Sequence, residues 1–220
     1  MEYKNIVAII GDIHGCFYTL SALYEKIQNY TSEIYSVGDL IDRGNFSKEV
    51  IEFCIDNNIK PVLGNHEIML LDVLERPNVN RIELHFRNGG KKTAKSYFDI
   101  KDGSNINEYY EAVNGENHLK FLKTLPYFIE LENIMISHAG FHSYEDKEKI
   151  IWSREKPVKL NKLQIFGHTP VKSPEHKKKY YINLDTGAVY NNKLSAVIID
   201  LDTQKVIEFI SEDTKYIDIA

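Results

Sequence analysis

Five short polar clusters, each containing glycine, carry the residues of this chain that could do chemistry. They are Gly11-Asp12-Ile13-His14-Gly15, Gly38-Asp39-Leu40-Ile41-Asp42-Arg43-Gly44, Gly64-Asn65-His66-Glu67, Ser137-His138-Ala139-Gly140 and Gly167-His168-Thr169. Their side chains are carboxylates, imidazoles and a carboxamide, a donor set that suits Mn, Fe or Zn rather than Mg or Ca alone. Singly, each cluster has a plainer account. Asp12 and Asp39 could cap helices, Asn65 could be a turn residue, and His14 could be a hydrogen-bonded loop histidine. Those accounts do not explain histidine at four of the five turns. Brought together, the clusters make a metal centre. Two divalent ions bring more positive charge than two aspartates remove, so the centre would attract an anion such as a phosphate ester. Two ions about 3.5–4 Å apart can activate a water and clamp the oxygens of an in-line displacement. Arg43, one residue past Asp42, offers a fork-shaped guanidinium for phosphoryl oxygens. The chemistry indicated is phosphoester hydrolysis.

Convergence needs each cluster to follow a strand, because loops beyond the strand ends of an open α/β sheet meet at one rim. The first part of the chain meets that need. Short β-branched runs at 6–10, 34–37 and 61–63 alternate with helical spacings: Phe17, Leu20, Leu23, Tyr24 and Ile27; then Val50, Ile51, Cys54 and Ile55; then 68–74. That order implies substantial parallel pairing with helices packed against the sheet. From 75 to about 125 the chain is polar and tyrosine-bearing, is broken at Asn88-Gly89-Gly90 and Asp102-Gly103, and carries no clear strand. It reads as a helical excursion within one domain spanning 1–220, because it has too few large apolar residues for a second core. Strands are expected again at 127–131, 134–137, 163–166, 180–184, 196–200 and 206–210, the last two as an antiparallel hairpin. Parallel units first and antiparallel strands later give a mixed α/β architecture.

Composition narrows the class. The 220 residues are 43% hydrophobic and 27% charged with a net charge of −5, close to an average soluble globular protein and unlike a disordered chain. No apolar run approaches the roughly 18 residues of a membrane span. The N-terminus lacks the length and cleavage site of a secretory signal, so a cytoplasmic location is expected. Cys16 and Cys54 form no C-x-x-C pair, which argues against a disulfide framework or a thiolate-rich zinc site. Mild acidity argues against broad nucleic-acid binding. The one basic run, His176-Lys177-Lys178-Lys179, reads as a solvated loop. His85, His118 and His142 belong to no motif, and His142 reads as a surface residue. Asp185-Thr186-Gly187 matches the aspartic-protease triplet over three residues only. Gly89-Gly90-Lys91-Lys92-Thr93 lacks phosphate-loop spacing.

In order, the clusters G-D-I-H-G, G-D-L-I-D-R-G, G-N-H-E, S-H-A-G and F-G-H-T closely resemble the phosphoprotein phosphatase family of calcineurin-like metallophosphoesterases. The bacterial and phage branch, which includes the bacteriophage lambda phosphatase, is similar in length and layout. Ile151-Trp152-Ser153-Arg154, Arg87-Asn88-Gly89-Gly90 and the segment from Leu184 to Tyr190 also fit that branch. The resemblance implies a sandwich of two mixed β-sheets flanked by helices, with the excursion near an active site at one rim. It implies two divalent metal ions, foremost Mn²⁺ with Fe, Zn, Ni or Co as alternatives, and a metal-bridging hydroxide attacking phosphorus in line. Asp12 and His14 would hold one ion, Asp39 would bridge both, and Asn65, His138 and His168 would complete the other. His66 would protonate the leaving oxygen, oriented and kept cationic by Asp42. Arg43 and Arg154 would hold the phosphoryl oxygens.

On that resemblance the expected activity is phosphomonoester hydrolysis, most of all of serine/threonine phosphate in proteins, with tyrosine phosphate as a further candidate substrate. The alternative is hydrolysis of a dinucleoside polyphosphate. The symmetrical diadenosine tetraphosphate hydrolases tend to lack the aspartate at Asp42 and to carry Asp where this chain has Glu67, so both residues favour the phosphatase side. A non-catalytic metal-binding regulator would show a damaged ligand or acid position, and every matched one is intact. A nucleic-acid phosphodiesterase would want a basic groove, which the charge balance does not support.

Overall fold

A computed structural model of the chain describes residues 5–98 and 105–220; the Asp102-Gly103 break lies outside them. Strand β1 (Ile6–Ile10) is apolar at every position because it is buried on both faces. Ala8 and Ile10 join a core shared with helices, while Val7 and Ile9 join the core between two sheets. β1 pairs in parallel with β2 (Ile34–Ser36), and β2 in parallel with β3 (Lys60–Pro61). On its other side β1 lies antiparallel to β9 (Lys193–Asp200), which forms the expected hairpin with β10 (Lys205–Asp213). The second sheet contains β4 (Phe128–Glu130), β5 (Ile134–Ser137), β6 (Leu163–Phe166), β7 (Glu175–Lys177) and β8 (Tyr181–Asn183) in the order β4-β5-β6-β8-β7. Val7, Ile9, Val37 and Val62 share one apolar cluster with Ile134, Ile136, Ile165 and Ile182 of the second sheet. The architecture is the two-sheet sandwich with flanking helices.

Three details differ from the sequence expectation. β3 is only two residues long, and the chain continues extended, with Val62 N donating to Ser36 O at 3.0 Å and Leu63 N to Pro126 O at 2.8 Å. β5, β6 and β8 run parallel, since the connections 138–162 and 167–180 exceed the dozen or so residues that a parallel return needs. β7 was not expected at all: His176 and Lys177 lie on an edge strand antiparallel to β8, and only Lys178 and Lys179 fall in the turn.

Helices α1 (Phe17–Ile27), α2 (Ser47–Asp56) and α3 (Asn65–Glu75) pack on the first sheet. The excursion is helical: α4 (Val79–His85), a π turn (Phe86–Gly90), α5 (Lys91–Tyr97), α6 (Ile106–Gly115) and α7 (His118–Thr124). Its buried Ala94, Tyr109, Val113, Leu119 and Leu122 belong to the same cluster as the inner faces of α1 and α2. α8 (Lys147–Trp152) places Ile150 against Met135 and Phe141.

α1 has no capping side chain of its own, because Cys16 precedes it. The cap comes from the far end of the chain. The buried Asp218 carboxylate accepts from Tyr18 N (3.0 Å), Thr19 N (2.9 Å) and Thr19 Oγ1 (2.6 Å). Asp218→Ala should therefore lower unfolding free energy by about 1–3 kcal/mol and leave kcat unaltered. An unshifted urea midpoint would show the cap to be dispensable.

Candidate active site

All five clusters meet at one rim of the sandwich. Three leave the ends of β1, β5 and β6; the second follows β2 after Val37, and the third, with Asn65 and His66, forms the first turn of α3. The backbone there is bent into the left-handed region at five non-glycine residues: His14 (φ 49°), Asp39 (50°), Asp42 (72°), Arg43 (71°) and His168 (67°). Glu67 helps hold the bend, its carboxylate accepting from Asp39 N (3.0 Å), Leu40 N (2.8 Å) and Gly64 N (2.8 Å).

Backbone carbonyls aim the imidazoles. His14 Nδ1 lies 2.9 Å from Ile41 O and His138 Nδ1 lies 2.9 Å from Val37 O. A carbonyl only accepts, so each Nδ1 carries the proton and each Nε2 presents a lone pair. His138 Nε2 stands 2.9 Å from Asn65 Oδ1 and 3.1 Å from His168 Nδ1, which is itself 3.0 Å from Asn65 Oδ1. Burial lowers the pKa of His138, against the pull of Asp39. Burial, with His138 beside it, takes His168 down to about 3, and burial takes His14 to about 3 despite Asp39. These are electron-pair donors crowded together and kept neutral, the chemistry of a cation site.

Asp39 divides its oxygens between two groups. Oδ2 is 3.5 Å from His14 Nε2, and Oδ1 is 3.4 Å from His138 Nε2. His14, Asp39 and His66, and separately Asp39, His138 and His168, each offer ligand atoms within 4.8 Å of one another. Asp12 stands just outside both groups, its carboxylate accepting from His168 N at 3.0 Å. Burial, then repulsion from Asp185 and Asp39, raises the Asp12 pKa well above the carboxylate range. Asp185, 3% exposed, is pushed up to about 6 by burial and by Asp39. Three buried carboxylates pressed together again call for positive charge, so the residues present fit a divalent centre.

His66 differs from the other imidazoles. Its Nδ1 pairs with Asp42 Oδ2 at 2.7 Å, and its buried Nε2 has no hydrogen-bond partner, with Asp39 Oδ2 3.9 Å away. Burial opposes its charge, but Asp39 and Asp42 outweigh burial and raise the pKa. Asp42 is wholly buried; burial works against its ionisation, and His85 and His66 overcome that to hold it below the usual range. Thr93 Oγ1 donates to its other oxygen at 2.5 Å. Arg43 is half-buried with Nη1 2.6 Å from His14 Nε2. Arg154 is exposed and lines a cavity at the rim with Thr169 and Asn183.

Three residues here were not singled out as site residues from sequence: His85, Thr93 and Asp185. His85 is fully buried, with Nδ1 3.5 Å from Asp42 Oδ2 and Nε2 3.4 Å from Tyr109 Oη. The Arg87-Asn88-Gly89-Gly90 motif explains how it gets there. Gly89 (φ 106°) accepts from Arg43 N at 3.3 Å, and a Cβ on it would lie 2.6 Å from that nitrogen. A Cβ on Gly90 would strike the His85 ring. The motif therefore clamps the excursion onto the Asp42–Arg43 turn. His85→Phe keeps a ring but removes the contact to Asp42, and should slow turnover roughly tenfold, the lower scale of an outer-shell loss. Unchanged kcat would make His85 a packing residue. His142 is half-buried, not at the surface, has an unpartnered Nε2 and joins neither ligand group.

The sequence profile of the calcineurin-like phosphoesterase family matches residues 6–199. Serine/threonine-protein phosphatase 1 of Salmonella typhimurium is 29% identical over 220 aligned residues, covering 89% of this chain and 93% of that protein. The asymmetrical bis(5'-nucleosyl)-tetraphosphatase of Bacillus subtilis is 27% identical, covering 85% and 88%. The solved metallophosphoesterase from Sphaerobacter thermophilus superposes with a TM-score of 0.59 over 96% of this chain and 89% of that one, at 18% identity, a likeness of fold. With the match running from β1 to β9 and so across every strand that feeds the rim, this chain belongs to the calcineurin-like phosphoesterase family.

Proposed function

We propose that the protein is a metal-dependent phosphomonoester hydrolase that removes phosphate from serine or threonine in proteins, with tyrosine phosphate as a further substrate. The observation that carries this reading is the buried Asp42–His66 pair, whose free Nε2 shares a ligand group with Asp39. A serine or threonine alkoxide is a poor leaving group and needs a proton as it departs. A nucleotide leaves as a phosphate anion that does not. A cationic imidazole held by a buried aspartate is equipment for the first task.

Enzymes of this family use divalent ions in a dinuclear centre, and such ions when bound acidify water and neutralise phosphoryl oxygens. Asp12 and His14 would hold one ion, Asn65, His138 and His168 the other, with Asp39 shared. Mn²⁺ is the proposed occupant, although Fe, Zn, Ni and Co accept the same donors. Arg43, next to the ligand His14, would bind a phosphoryl oxygen from inside the site, and Arg154 would do so from the rim. His66 would donate its Nε2 proton to the departing oxygen while Asp42 holds the ring in place. Among the described residues no helix is long and apolar enough to cross a membrane. A cytoplasmic location remains part of the proposal.

The test is phosphate release by metal-stripped protein resupplied with Mn²⁺, on a phosphoserine peptide, a phosphotyrosine peptide and diadenosine tetraphosphate. Faster turnover of the phosphoserine peptide is expected. Preference for the dinucleotide would overturn the substrate assignment and leave the family intact.

A further inference from the structure

Six cations border a trough made of two adjoining cavities beside the site. Arg154 and Thr169, the latter next in sequence to His168, line a cavity of about 180 Å³. Lys156 and Tyr181 line that cavity and also its neighbour, an open cavity of about 980 Å³ that takes in Lys159, Lys177, Lys178 and Lys179. The lysines come from two segments, the loop after α8 and the end of β7 with its turn to β8, which Tyr180 Oη ties together by donating to Pro157 O at 2.6 Å. All five are exposed. Lys177 pairs with Glu175 at 3.3 Å, and the other four lysines make no ion pair among the described residues. Glu155 and Glu175 are the carboxylates on the trough, and Glu155 lies 3.9 Å from Lys149. Six cations against two carboxylates make a local positive excess in a chain of net charge −5.

A solvated turn accounts for Lys178 and Lys179, and a lysine on an edge strand discourages sheet-to-sheet pairing, which accounts for Lys177. Neither accounts for Lys156 and Lys159 being fastened opposite them, where like charges repel. A ligand of opposite charge does. Nor is the trough built for a nucleobase. Tyr181 is 4% exposed and packs edge-on against Tyr180 at 4.9 Å, and both hydroxyls are engaged, with Pro157 O and Glu175.

We propose that the trough is a substrate-docking groove for acidic phosphopeptides. Carboxylates or further phosphates flanking the scissile phosphoester would lie along the lysines while the phosphoester itself reaches Arg154 and the ligand groups. The proposal rests on the phosphoprotein reading above. It is tested on the full chain with Mn²⁺, comparing a phosphoserine peptide flanked by Asp and Glu with one flanked by Gln and Ser, and with p-nitrophenyl phosphate as control. The wild type should prefer the acidic peptide. Combined Lys177→Gln, Lys178→Gln and Lys179→Gln, or Lys156→Gln with Lys159→Gln, should reduce kcat/KM on that peptide about tenfold through KM, as loss of electrostatic focusing would. Raising salt above about 0.1 M should erase the preference. Activity on the neutral peptide and on p-nitrophenyl phosphate should stay within about twofold, since the lysines lie outside the catalytic groups. Equal rates on the two peptides, or equal loss on both in the variants, would overturn the groove and spare the phosphatase reading. Turnover of diadenosine tetraphosphate and of neither peptide would overturn both.

Discussion

His66→Asn should keep its metal and slow hydrolysis of a phosphoserine peptide by roughly 10²–10⁴-fold, the usual worth of a general acid. The ring is bound through Nδ1 to Asp42 at 2.7 Å, while its Nε2 makes no hydrogen bond and stands 3.9 Å from Asp39 Oδ2. The hydrogen bond that this residue gives Asp39 comes from its backbone, His66 N donating to Asp39 Oδ1 at 3.1 Å, and asparagine retains that N–H. The discriminating measurement is the leaving-group dependence. p-Nitrophenolate departs without a proton, so the loss on p-nitrophenyl phosphate should be much smaller than on the peptide. Equal losses on both, with metal content unchanged, would contradict the acid role. Loss of metal from the variant would instead make His66 a ligand, the role its membership of the first ligand group would suggest if the Asp42 contact were ignored.

Asp39→Asn should remove metal and activity together. Asp39 is the one residue common to both ligand groups, with one oxygen toward His14 and the other toward His138. The amide keeps one oxygen, loses the negative charge, and points N–H groups at ligand positions. Outer-shell changes alone cost about 10–100-fold in metal affinity, so losing a shared ligand should cost more than that, with bound metal falling from two per chain toward none and phosphate release with it. Two ions per chain and full activity in the variant would rule out the bridging role.

Much of this site is legible in the sequence because residue type and order carry it. The first strand shows itself as an unbroken apolar run, since neither of its faces meets water, and each histidine or aspartate follows a strand end that the run marks. What is illegible is made by contacts that leave no spacing rule. His85 reaches Asp42 across 43 positions of chain, through a π turn whose two glycines only make sense once Arg43 and the His85 ring are seen against them. Glu175-His176-Lys177 is polar throughout, and an edge strand with no inner apolar face gives no periodic signal. The direction of β6 and β8 is not written in their side chains, because an apolar run reads alike in either sense; the length of the connections decides it. Lys156 and Lys159 line one cavity with Lys177–Lys179, and the hydrogen bond of Tyr180 to Pro157 that ties the two segments leaves no mark in the sequence.

The five non-glycine residues with left-handed backbone carry a consequence for anyone who tries to make this protein hardier. Each such conformation costs on the order of 1 kcal/mol or more, and all five belong to the rim that gathers the ligands and the acid. A library screened for heat resistance alone would be rewarded for placing glycine or asparagine at 14, 39, 42, 43 or 168, and each such winner would have traded away a group the chemistry uses. Selection for durability and selection for turnover therefore pull this rim in opposite directions, so a campaign for a sturdier enzyme has to score phosphate release in every round.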